Sequence, residues 1–310
     1  MKLNKLAWCG VVAGSMAAVG CGGGGGNGTD SGMPMNDAFV PTMDPISVTY
    51  IVDTITIPPT PTGPMMNIAP GFNLDGKVSV ESATGDTCED LIGDFTSPTG
   101  ETGVDNQLVG SLIGALEGFV RDLDVQAQVD EQIASGSLLL AIRVNDIESF
   151  ETDPDGVTLD LFLVKQADCM MDTCPVMGGV MADQNWVQRA MPLATGLRAD
   201  IEGGELRGSV PALPLSFEAS GTNITLTISD ATVGGDITAD RMTNAAIGGE
   251  IRVEDVVMLA DMIMRGLGET ARGLLAMYAD LSPSAADPQT CESISAGLSF
   301  TAVEGNVSSM

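Results

Sequence analysis

Three glycine pairs set within strand-like sequence constrain this chain more than any other feature. Ile201-Glu202-Gly203-Gly204-Glu205-Leu206 is echoed by Val233-Gly234-Gly235-Asp236-Ile237 and again by Ile247-Gly248-Gly249-Glu250-Ile251. Glycine inside a strand adds no side chain to pack, so pairs of it mark bulges, sharp bends or places where another backbone comes close. The stretch from Leu206 to Val253 is therefore expected to form a strongly coiled antiparallel meander. The echoes are too short to define a repeat family.

Other strands follow from alternation. Val48, Tyr50, Val52 and Thr54 lie on one side of a first strand and Thr49, Ile51, Asp53 and Ile55 on the other, until Pro58-Pro59 ends it. A proline-rich connection leads to Pro70, and a short strand is expected around Leu74 to Val80. Leu138 to Val144 is apolar on both faces, as a central strand covered on two sides would be. Asp153-Pro154-Asp155-Gly156 reads as a turn into Val157 to Val164, making a hairpin, and a last strand is expected from Ile294 to Val303.

Helical spacing occurs in two regions. Leu108, Leu112, Leu116, Phe119 and Leu123 recur at helical intervals after Asp105, a candidate cap, and Val125, Val129 and Ile133 extend the pattern to a stop at Gly136. From Glu254 to Asp280, Val256, Leu259, Ile263, Leu267, Ala271, Leu274 and Tyr278 share a face, with a bend expected at Gly266 and Gly268. Antiparallel strands with segregated helices give an α+β expectation: a strongly coiled antiparallel sheet packed against two helical regions and stapled by disulfides.

The N-terminus carries an address. Lys2 and Lys5 precede an apolar run, Leu6 to Val19, which is short for a bilayer span and reads as a cleaved signal. Ala18-Val19-Gly20-Cys21 resembles the lipobox of bacterial lipoproteins, with Ala18 where that family usually has Leu. The resemblance implies cleavage before Cys21, a diacylglyceryl thioether on its sulfur and acylation of the new amino terminus. Gly22 in place of Asp after that cysteine implies sorting to the outer membrane. Gly22 to Gly26 begins a flexible tether. The expected organisation is thus a signal peptide over 1–20, a lipidated tether over 21–45 and a single domain over 46–310, held to a membrane by lipid.

Without Lys2 and Lys5, eleven basic residues face forty-two acidic ones, a net charge of about −31. Such a field repels phosphate backbones, so nucleic acid is excluded as a partner. Outside the cytoplasm, the four cysteines beyond Cys21 are expected as disulfides, Cys88 with Cys291 and Cys169 with Cys174. The alternative, a zinc site, would need all four thiolates.

The chain contains no histidine, so Ser-His-Asp, Cys-His and His-metal chemistry are all absent. Carboxylates remain. The densest irregular cluster, Asp86, Asp90, Asp94, Glu101 and Asp105, offers the oxygen ligands calcium takes, though the spacing matches no EF-hand. Calcium is the one cofactor the sequence suggests. The expected function is non-enzymatic: a membrane-anchored cell-envelope lipoprotein domain that binds a hydrophobic ligand or an envelope protein, or plays a structural part. One alternative is lipid carriage in a groove between sheet and helices, for which Met258, Met262, Met264 and Met277 would supply an adaptable wall or else ordinary core filler. The other is a carboxylate-dependent hydrolase, for which sugar platforms are scarce: Trp186, Tyr50 and Tyr278.

Overall fold

A sheet whose inward face is uniformly apolar has two ways to bury it, packing against another layer or closing on itself. This chain closes. The computed structural model describes residues 44–57, 67–79, 87–90, 92–108, 113, 124–219, 222–263, 266 and 268–308. Strands among them run β1 Ile46–Thr56, β2 Phe95–Thr96, β3 Thr102–Val104, β4 Leu140–Ile147, β5 Thr152–Gln166, β6 Asn185–Gln188 and β7 Ala194–Glu202. They continue with β8 Glu205–Ala219, β9 Thr222–Ile237, β10 Arg241–Arg252, β11 Leu281–Pro283, β12 Cys291–Glu304 and β13 Asn306–Ser308. Helices are short: α1 Val125–Ala134, α2 Val253–Ile263 and α3 Gly268–Leu275.

Hydrogen bonding follows the order β5-β4-β1-β12-β10-β9-β8-β7, and β7 returns to β5 through pairs such as Val157↔Ala199 and Leu159↔Leu197. The result is an eight-stranded antiparallel barrel. Tyr50, Ile142, Leu161, Leu206, Val233 and Phe300 belong to one continuous buried cluster in its lumen, consistent with a bore that side chains can fill. On β7 the outward positions are polar, Arg198, Asp200 and Glu202 alternating with the buried Ala199 and Ile201, while the outer face of β1, β4 and β5 carries an apolar cluster covered by α1 and the segment around Trp186.

The α+β expectation is therefore corrected. The coiled meander is real, as β8 to β10, but its coil continues into closure, and the helices are short pieces at one end rather than a packed layer. The second helical region ends at Leu275 and is split before Gly268, where Asp261 Oδ1 accepts the amides of Gly266 and Gly268. Of the first region, α1 is present, with Asp124 capping Ala127 N at 2.9 Å and Gly136 following at φ +78°. Apart from Leu108 and Ile113, its earlier part lies outside the described residues.

Two further expectations change. Asp153 to Gly156 is a bulge, not the hairpin turn: Asp153 pairs with Ile201 and Val157 with Ala199, leaving Pro154, Asp155 and Gly156 opposite Asp200 alone. The β4–β5 turn lies just before it, where Ser149 Oγ accepts the amides of Glu151 and Thr152. Leu74 to Ser79 forms no strand. Strand β4 is two-faced as expected. Leu140, Ile142 and Val144 enter the lumen, while Leu139 and Ala141 pack outside with Ile133 of α1, Phe162, Val176 and Trp186.

The glycine pairs serve two purposes. Gly203-Gly204, at φ +62° and +86°, forms the two-residue β7–β8 turn, a geometry with both central residues at positive φ. Gly234 and Gly248, with Gly297 of β12, instead leave a bare stripe across the outer wall, over which the segment Ala69–Phe72 lies. Asn106 fastens it there. Its Nδ2 donates to the carbonyls of Pro70 (2.6 Å) and Gly297 (2.9 Å), and its Oδ1 accepts Gly297 N (3.1 Å). A Cβ on Gly297 would sit 2.4 Å from Pro70 O and 2.7 Å from Asn106 Nδ2. Gly297→Ala is accordingly expected to destabilise by about 2–3 kcal/mol through overpacking and broken hydrogen bonds. Gly273→Ala, in α3 with nothing within 4 Å, should be neutral or stabilising. Equal melting temperatures for the two variants would refute the docking role of Gly297.

Candidate functional site

The eight strands sort the barrel's ends. At one end β4–β5, β7–β8 and β9–β10 are joined by tight turns; at the other, the long connections after β1, β5 and β10 emerge. Among the described residues, the lumen at that end is not filled by side chains. A cavity of about 260 Å³ lies between Leu140, Ile228, Ile247 and Phe300 of the wall and Val125 and Val129 of α1, with Gln128 and Gln132 at its polar margin. Barrel mouths are recurrent positions for small-molecule sites, and this one is almost wholly apolar.

Gln126 sets the roof. Its Nε2 donates to Ile55 O at 2.9 Å and its Oε1 accepts Ile57 N at 2.7 Å, so one amide side chain closes on the end of β1 like another strand residue. The far end of α1 is held by the chain just after the Cys169–Cys174 loop, through Val176 N donating to Ala134 O at 2.8 Å. Lid and barrel are thereby joined at both helix ends. Nothing in the sequence pattern marks Gln126, since an exposed-looking glutamine in a helix carries no signal of its partner 69 residues away.

The expected site residues are dispersed by the fold. Both disulfides form with the expected pairing, Cys88–Cys291 and Cys169–Cys174, so the four thiols are not available to zinc. Cys21, Asp86 and Met264, and the side chain of Asp90, lie outside the described residues. Glu101 reaches Arg207 at 3.4 Å, on the wall beside Phe72. Asp94 and Asp105 do come together, within hydrogen-bonding reach of each other. Among the described residues no group of three Asp, Glu, Cys or His side chains is placed to hold a metal.

These acids instead serve an irregular layer. Asp105 Oδ2 accepts Leu74 N at 2.7 Å, Asp94 Oδ2 accepts Ser79 N at 2.5 Å, and the fully buried Asp280 accepts Ser295 N at 2.7 Å and Ser295 Oγ at 2.5 Å. Burial pushes the Asp105 carboxyl up to about 7, against the pull of the Leu74 amide and with the charges of Asp75 and Asp94 adding to the rise. Burial likewise raises Asp94 to about 6, opposed by the Ser79 amide. Asp280 is driven well above the carboxylate range, again by burial, although Ser295 holds it back.

A second concavity, about 280 Å³, opens on the outer wall near Phe72, but the polar groups around it satisfy one another. Asn244 donates to Asp236 at 2.7 Å, and Thr301 donates to Asp53 at 2.5 Å. Trp186 and Tyr50 are both fully buried and offer no sugar platform. Met258 and Met262 on α2, and Met277 just past the end of α3, are more than half exposed and do not line the cavity. Comparison with protein-family models, with curated proteins and with solved structures gives no match.

Proposed function

We propose that this domain is a non-enzymatic binding module, carried on a lipid anchor at the cell envelope, which holds a small apolar ligand such as an acyl chain in the mouth of its barrel. The observation that carries the reading is the apolar cavity of about 260 Å³ left beneath α1 while the rest of the lumen is packed. The pocket is lined almost wholly by apolar side chains and is partly open at the mouth, so its apolar wall meets water unless an occupant covers it, and that favours an apolar occupant. The signal-like N-terminus and Cys21 support an outer-membrane address. The carboxylate-hydrolase alternative would rest on Asp94 and Asp105. Their oxygens accept backbone amides, and Asp105 is only 4% exposed, an arrangement that favours a structural part for the pair.

The test is titration with an environment-sensitive fluorescent fatty acid, alongside mass spectrometry of lipid that copurifies. Saturable binding is expected, and Ile228→Trp, which places an indole in the void, should weaken it at least tenfold without lowering the melting temperature. Binding that is equally tight in the filled variant, or none in either protein, would overturn the cavity as a ligand site.

A further inference from the structure

Strand β10 passes directly into α2, whose Val253 and Val257 are buried against Leu275 of α3 and Ile294 of β12. That leaves the opposite face of α2 to water. Met258 and Met262, one turn apart, are 57% and 58% exposed, and with Leu259 they line a groove of about 670 Å³ between the helix pair and the start of β9 at Thr225 and Thr227. Asp255, Asp261 and Glu269 rim it, and no Lys or Arg among the described residues lines it. Among the described residues the adjacent cation is Arg272, which is engaged by Glu254 and lies 3.8 Å from Glu269.

Methionine is unbranched and polarizable, which suits a surface that must adapt to a partner's side chains. A soft apolar floor between carboxylates is the complement of one ligand type in particular, a helix with an apolar stripe flanked by Lys and Arg. We propose that this groove docks a basic amphipathic helix of a partner protein. The strong negative charge of the whole chain steers such a segment toward it and repels anionic lipid surfaces. The groove shares no lining residue with the mouth cavity, so the two proposals stand or fall separately.

The probe is a fluorescein-labelled 18-residue peptide with Leu at i, i+3, i+4 and i+7 spacing and Lys elsewhere, titrated into the purified chain at 150 mM salt and read by anisotropy. Met258→Asn with Met262→Asn keeps the net charge and is expected to weaken binding at least tenfold. Asp255→Asn with Glu269→Gln should weaken it several-fold and flatten its salt dependence. Phosphatidylcholine vesicles should neither bind nor compete. Equal peptide affinity in the wild type and the methionine variant would show attraction by the general acidic field alone and overturn the proposal, as would no binding at all. Vesicle binding abolished by the methionine variant would assign the face to a membrane and equally overturn it.

Discussion

Replacing Cys88 and Cys291 by Ala is expected to lower the melting temperature by roughly 10–15 °C, about two to three times the effect of removing the Cys169–Cys174 bond. The two bonds differ chiefly in the chain they close, spanning sequence separations of 203 and 5 residues. On the chain-entropy account these loops correspond to roughly 5 and roughly 2 kcal/mol of restraint on the unfolded state, and in a domain of this size each kcal/mol moves the midpoint by about 2–4 °C. The longer bond also has local support. Cys88 and Cys291 are both buried among Val253, Val257, Leu275 and Ile294, so a pair of Ala side chains leaves a void there as well. Calorimetric melts of the two double variants decide it. Equal midpoints, or a change under 2 °C for Cys88/Cys291, would show that the irregular layer is held to β12 by its other contacts.

Much of the barrel wall is legible in the sequence, and its closure is not. Alternation locates β1 and β12, the two apolar faces of β4 predict cover on both sides, and the glycine pairs announce strong coiling. Closure depends on β7 meeting β5 across the Asp153 to Gly156 bulge. No local pattern encodes that pairing, and Pro154 and Gly156 read naturally as a turn. The helices were overestimated for a related reason. Helical spacing from Val256 to Tyr278 is present, but Asp261 closes back on the amides of Gly266 and Gly268 and the second helix ends at Leu275.

The candidate site was hidden more deeply. Its wall residues look like ordinary core, and the cavity exists because Gln126 fixes α1 across the barrel mouth. The acids of residues 86–105, conversely, look like cation ligands in sequence. In the fold, Asp94 and Asp105 accept amide hydrogens of a layer, Leu74 to Ser79, that has no strand neighbour to accept them. A carboxylate serving an unpaired backbone and a carboxylate serving calcium need the same short, polar, glycine-rich context, so sequence does not distinguish them.

That use of buried acids gives the second large effect: acidification from pH 8 to pH 5 is expected to raise the melting temperature by about 5–10 °C. Asp105 and Asp94 are raised to about 7 and about 6, and Asp280 is raised as well, so the folded state keeps protons that the unfolded chain releases near pH 4. Protons bound preferentially by the native state make stability fall with rising pH. The contribution is complete below the unfolded value and disappears as pH climbs through 6 and 7, which fixes the window. Its size is on the order of 2–3 kcal/mol once the coupling of the adjacent pair is allowed for. Two exposed groups act in the opposite sense, Glu254 lowered by Arg272 and Asp240 lowered by Thr238, and they are solvated enough to weigh little. Relief of the overall negative charge also favours the acidic side, so the discriminating measurement is a comparison. Asp94→Asn with Asp105→Asn removes the titrating pair while keeping side chains of nearly the same shape, and should flatten the rise between pH 5 and 8 to the part that Asp280 and general charge explain. Parallel pH profiles for variant and wild type would show that this pair does not titrate between pH 5 and 8 in the folded protein, and would overturn the prediction.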